Sequence, residues 1–178
     1  MGEEKAVAMA EGCAREGAEE TEDFLVFSRR AEGTNIHPQT LLATDYLNHF
    51  NEIVMLMEMI PDMPDCFEDV QAWEPKSYQE HFRCSQFRDR DLAVEAYDHV
   101  PSRYRVPFEA VISQMNQLIA TAVEKMATAI ANGEEQELRL LCSDASRGLQ
   151  KMMDIAGAII HGSERRLDQS EIDGFLSI

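Results

Sequence analysis

Asp45, His49 and Glu52 are three side chains able to hold a metal ion or move a proton, and their spacings are four and three residues. On a helix those spacings put all three along one edge, with Asn48 adding an amide beside them. Such a row suggests metal binding or acid–amide chemistry on water. A di-iron carboxylate bundle would need Glu-x-x-His pairs from two helices and further glutamates from two others. The chain contains no Glu-x-x-His, and His49-x-x-Glu52 runs in the reverse order. Asp45, His49 and Glu52 are therefore weak metal candidates, and a boundary histidine between solvated acids describes them better. Asp45, Asn48 and Glu52 remain the catalytic candidates of an enzyme reading.

Cys66, His81, Cys84 and His99 are a second set, in which His81-x-x-Cys84 could form half of a zinc site. The other half lacks a close pair, so reduced cysteines and surface histidines account for the set. No Gly-x-Ser-x-Gly elbow, Gly-rich phosphate loop or dinucleotide fingerprint is present. No cofactor is expected.

Composition narrows the field of partners. The 178 residues carry 16 Lys+Arg against 33 Asp+Glu, a net charge of −17. Such a surface repels nucleic acid and anionic membranes. No apolar run approaches the roughly 20 residues of a membrane span. The four cysteines (Cys13, Cys66, Cys84, Cys142) make no tight framework, and no leader is legible, so reduced thiols and a cytoplasmic location are expected.

The elements that must position these residues read as helices. Residues 1–23 are rich in acids and poor in large apolar side chains, so residues 1–35 are expected to form a flexible N-terminal arm ending in Ala31-Glu-Gly-Thr-Asn35. The body spans 36–162. A first helix is predicted from Pro38 to just before Pro61, with Leu42, Tyr46, Phe50, Ile53, Met57 and Ile60 on one face. Leu41, Met55, Leu56 and Met59 form a second apolar face, so the helix is expected either to lie centrally in the body or to pack on another subunit, with a homodimer favoured. Short helices follow: one from Pro64 through Trp73, one capped by Ser77 and Glu80, and one from Asp89 to His99.

Pro101 and Pro107 are expected to bound an irregular entry to a long helix over 108–131, striped by Val111, Met115, Leu118, Ala122, Met126 and Ile130. Asn132-Gly133 ends it. The last helix, 134–160, repeats the stripe through Leu138, Leu141, Ala145, Leu149, Met152, Ala156 and Ile159, and stops at His161-Gly162. So short a loop between long helices implies an antiparallel hairpin. The fold is predicted to be an all-α helical bundle with that hairpin, short helices in the middle and no sheet.

Residues 163–178 are a charged tether and a short peptide. Asp168 or Ser170 can cap a turn of helix that aligns Ile172, Phe175 and Leu176, while Asp168, Glu171 and Asp173 form an acidic rim. Gly174 weakens that helix by about 1 kcal/mol relative to Ala, so ordering on a partner is expected.

Leu167-x-Gln169-x-Glu171-Ile172-Asp173-x-x-Leu176 resembles the receiver-docking peptide at the start of the flagellar switch protein FliM. It is similar, more loosely, to the C-terminal peptide of the chemotaxis phosphatase CheZ. Those peptides bind the phosphorylated receiver protein CheY. CheZ is also all-helical, with a long hairpin and a tethered C-terminus. The resemblance implies a regulatory or adaptor protein of chemotaxis or related two-component signalling. Its receiver would be bound through Gln169, Glu171, Ile172, Asp173, Phe175 and Leu176. CheZ-type dephosphorylation uses a helix-borne acid and amide to orient a water. The stretch Asp45–Glu52 resembles that helix faintly, but no Gln stands where the amide should be, so only the docking role is carried over.

Overall fold

The computed structural model describes residues 21–163. Thr21 accepts a hydrogen bond from the Phe24 amide (3.1 Å) and so caps helix α1, Glu22–Ala31. Acids in its first turn and Arg29 and Arg30 in its last complement the helix dipole. The helix lies within the arm expected over residues 1–35, and its apolar patch Phe24-Leu-Val-Phe27 supplies the contacts that dock it. It packs on the body through buried Phe24 and Ala31, through Phe27 stacked on His99 (4.5 Å), and through an Arg30–Glu95 ion pair (3.0 Å).

The first long helix begins later than Pro38. Residues 36–43 instead form a tight loop closed by an isolated bridge between Ile36 and Ala43. The His37 amide donates to the Leu42 carbonyl (2.8 Å), and Leu41 takes a left-handed φ of 60°. Leu41 and Leu42 are fully buried, and that burial offsets a backbone strain of about 1–3 kcal/mol. Thr40 extends the loop's grip by donating to the Ile160 carbonyl (2.6 Å). A 3-10 turn, Thr44–Leu47, then leads into α2, Asn48–Met59.

On α2 the predicted core face is correct: Phe50, Ile53 and Met57 are sealed inside. The second face is not one surface. Leu41 lies in the loop core, whereas Met55 (63% exposed) and Met59 (40% exposed) face solvent. After a turn, a 3-10 segment Pro64–Cys66 opens α3, Phe67–Ala72. Helix α4, Tyr78–Cys84, starts at the predicted capping box, with the Ser77 amide donating to the Glu80 carboxylate (2.9 Å). Helix α5, Arg90–Ala96, runs into a 3-10 turn, Tyr97–His99.

Helix α6, Ser102–Asn132, starts straight after Pro101 and takes Pro107 inside it. Residues 102–107, expected to form an irregular entry, are thus part of the helix. Pro107 removes one early backbone hydrogen bond, and the neighbouring Tyr104 and Phe108, both buried, hold the turn together. Gly133, at φ 71°, caps α6 in the left-handed conformation, and α7, Glu135–Ile160, returns antiparallel to it. The predicted stripes meet along this hairpin. Only Ile130, near the α6 end, stands partly in solvent.

Helix α2 lies antiparallel along α7. Leu47 sits beside Gly157, Glu58 accepts from Gln150 (3.1 Å), and Asp62 pairs with Arg139 (2.9 Å), so partners descend α7 as α2 ascends. The architecture is all-α: seven helices and no strand among the described residues. No described helix is long and apolar enough to cross a membrane.

Candidate functional site

The loop from residue 33 to 35, the turn before α2 and the α4–α5 connection enclose a cleft of about 510 Å³. Asp45, Asn48 and His81 line it, with Arg88 and Asp89 at its α5 side. Asp45 projects from the 3-10 turn, and Asn48 is the first residue of α2. The Asn48 amide oxygen accepts from the Asn51 side chain (3.4 Å). His81 arrives from α4, whose start is fixed by the Ser77–Glu80 box. Burial lowers the His81 pKa, against the opposing effect of a hydrogen bond to the Asp45 backbone. A carboxyl group, an amide and an imidazole thus share one cleft. The imidazole can accept a proton, and the carboxylate and amide can orient a water.

Two of the sequence candidates lie elsewhere. His49 turns inward: it is 5% exposed, stacks on Trp73 (4.5 Å between ring centres, 21° between planes), and leaves Nε2 without a hydrogen-bond partner. Burial, with Lys76 and His81 nearby, pushes its pKa down to about 4, against a bond to the Glu74 backbone. Glu52 is exposed on α2 and does not line the cleft. The weak metal row of Asp45, His49 and Glu52 is therefore dispersed, because the chain enters α2 through a 3-10 turn and the helix rotates His49 into the core. Among the described residues no group of three His, Cys, Asp or Glu is placed to hold a metal ion.

The second set disperses as well. Cys66 is buried, Cys84 is exposed at the end of α4, and His99 lies against Phe27. Cys13 and the docking residues Gln169, Glu171, Ile172, Asp173, Phe175 and Leu176 lie outside the described residues.

Sequence reasoning missed the partnership of Asp45 with His81. The signal was available in the capping box, which sets the phase of α4 and so sends Tyr78 and Phe82 inward, with His81 at their edge. Also missed was the aromatic cluster behind the cleft. There Tyr46 meets Phe50, Tyr78, His81 and Phe108 at 5.3–5.9 Å.

Fold and cleft together define an all-α helical protein built on a long hairpin, with a polar cleft beside α2. Compared with family models, with curated proteins and with solved structures, the chain matches none.

Proposed function

We propose that this is a cytoplasmic regulatory or adaptor protein that binds a CheY-like receiver domain through its C-terminal peptide. The reading is carried by the sequence pattern Gln169-x-Glu171-Ile172-Asp173-x-Phe175-Leu176, whose spacing would align the apolar residues on one face of a helix formed on a partner. It is supported by where the helical body stops. Gly162 takes a φ of 90°, and the Gly162 and Ser163 amides close the end of α7 on the Ile159 and Ala158 carbonyls. The peptide thus follows a terminated helix instead of continuing it. An acidic rim suits a basic patch on the partner.

The test is titration of a phosphorylated CheY-type receiver into the full chain and into the full chain carrying Ile172→Ser and Leu176→Ser. The native chain should bind at least tenfold more tightly, because two buried apolar anchors are worth about 1.5–3 kcal/mol each. Equal affinities would remove the proposal.

A second reading is favoured by the meeting of Asp45 and Asn48 in one cleft. In it the protein acts on the phosphorylated receiver as a phosphatase, with Asp45 and Asn48 orienting the water. Phosphate release from a phosphorylated receiver should then fall on Asp45→Asn. Release unchanged by that substitution would exclude this reading while leaving the docking proposal standing.

A further inference from the structure

A second cavity, of about 470 Å³, opens between Pro75–Tyr78 and the first half of α6, with Tyr46 in its wall. Its size falls in the range of small-molecule sites, and its wall is mainly apolar, which is the usual make-up of such a site. Tyr46, Tyr78 and Phe108 form the floor and are themselves buried. Tyr97 and Ile112 form the sides.

The charges around this cavity select among ligands. Glu109 is already engaged: it accepts from the Tyr97 hydroxyl (2.9 Å) and pairs with Arg105 (3.7 Å). Lys76, in contrast, has no carboxylate at ion-pair distance among the described residues. Lys76 is thus the one lysine in the wall of this cavity, exposed, and near enough to His49 and His81 to disfavour their protonation. The floor rings are packed on one another, with Tyr46–Tyr78 at 5.3 Å, Tyr46–Phe108 at 5.9 Å and Tyr78–Phe108 at 6.1 Å. In the same wall the Asn116 side-chain oxygen is buried without a hydrogen-bond partner.

We propose that this cavity binds a small aromatic carboxylate bearing a ring N–H or O–H. The ring lies over the apolar floor, the carboxylate meets Lys76, and the ring donor meets Asn116.

Indole-3-carboxylate, with indole-3-carboxamide as its uncharged counterpart, tests this on the full ¹⁵N-labelled chain. The carboxylate should give saturable amide shifts centred on residues 75–78 and 109–116. The carboxamide should bind about fivefold more weakly, the effect expected of one partly exposed ion pair. Lys76→Gln should remove that preference and leave carboxamide binding unchanged. Ile112→Trp, which fills the cavity, should abolish both while the helical circular dichroism is retained. The proposal is overturned if no saturable shift appears by about 10 mM, a concentration beyond even weak small-ligand sites. Shifts scattered over the surface, or equal carboxylate affinity in native and Lys76→Gln chains, would overturn it as well.

Discussion

The imidazole of His49 lies almost parallel to the indole of Trp73, and the indole Nε1 donates back to the His49 carbonyl (3.3 Å). Two residues that look unrelated in sequence thus lock α2 to the end of α3. His49 enters this lock uncharged. A proton on the ring would have to reside in a buried place already facing the Lys76 and His81 charges. Since the pKa in the fold is about 4, below the ordinary 6.5, the unfolded chain binds more protons between those values. Stability is therefore full above about pH 6.5 and falls as pH drops through that window, with little further loss from this group below pH 4. His37 and His81 are shifted in the same direction and add to the slope.

Urea unfolding at pH 7 and pH 4.5, read by the fluorescence of Trp73, the chain's single tryptophan, measures this. The native chain should lose on the order of 2–3 kcal/mol across the interval through His49. His49→Leu should lose distinctly less. An unchanged slope in that variant would show that His49 titrates normally.

The capping box at α4 gives a second prediction. The Ser77 hydroxyl donates to the Glu80 carboxylate (2.7 Å) and accepts from the Glu80 amide (3.3 Å). Ser77→Ala should lower stability by about 1 kcal/mol by urea unfolding, whereas Ser77→Asp, which also caps, should lose much less. Loss of equal size in both variants would mean that the box does not hold α4 in place.

The helical hairpin was legible because its stripes run unbroken at helical spacing and an Asn-Gly pair marks the turn. The capping box was legible for a similar reason, since both of its bonds are local. What was not legible depended on contacts distant in sequence. Leu41 adopts a left-handed backbone because Leu42, Thr40 and Ala43 find partners at residues 37, 160 and 78. Nothing near Pro38 announces those partners, so the segment imitates a helix start. Asp45 and His49 were separated for a related reason: a 3-10 turn changes their angular relation, and only the packing of Trp73 decides which one turns inward. His81 joined the cleft through α4, which periodicity alone could not dock against α2.

Helix α2 leaves Met55 and Met59 on its solvent side, followed by Met63 at 53% exposure. Met55 and Met59, four apart, share one side of α2, and Met63 follows in the turn beyond it; the dimer expected from this apolar face is open to test. Sedimentation at micromolar concentration should show a dimer that Met55→Glu with Met59→Glu converts to a monomer of unchanged helicity. A monomeric native chain would remove this interface.

Within the hairpin, Gly148 of α7 lies against Leu118 of α6. A Cβ built there would lie 3.0 Å from the Leu118 Cδ2, while Leu118 itself is buried. Two effects compete when Gly148 is replaced by Ala. Helix propensity favours Ala by about 1 kcal/mol, and crowding of Leu118 opposes it. Leu118 needs to move only a few tenths of an ångström, so Gly148→Ala should fall within about 1 kcal/mol of the native stability. Gly148→Val adds two methyl groups into the same gap and lacks the propensity gain, and should lose about 1–3 kcal/mol. Combining Gly148→Val with Leu118→Ala supplies the room that the valine lacks, so the pair should be less destabilising than the sum of the two single changes. Thermal or urea unfolding of the four chains decides this. Strict additivity would mean that the two residues do not share the gap and that the hairpin is spaced by other contacts.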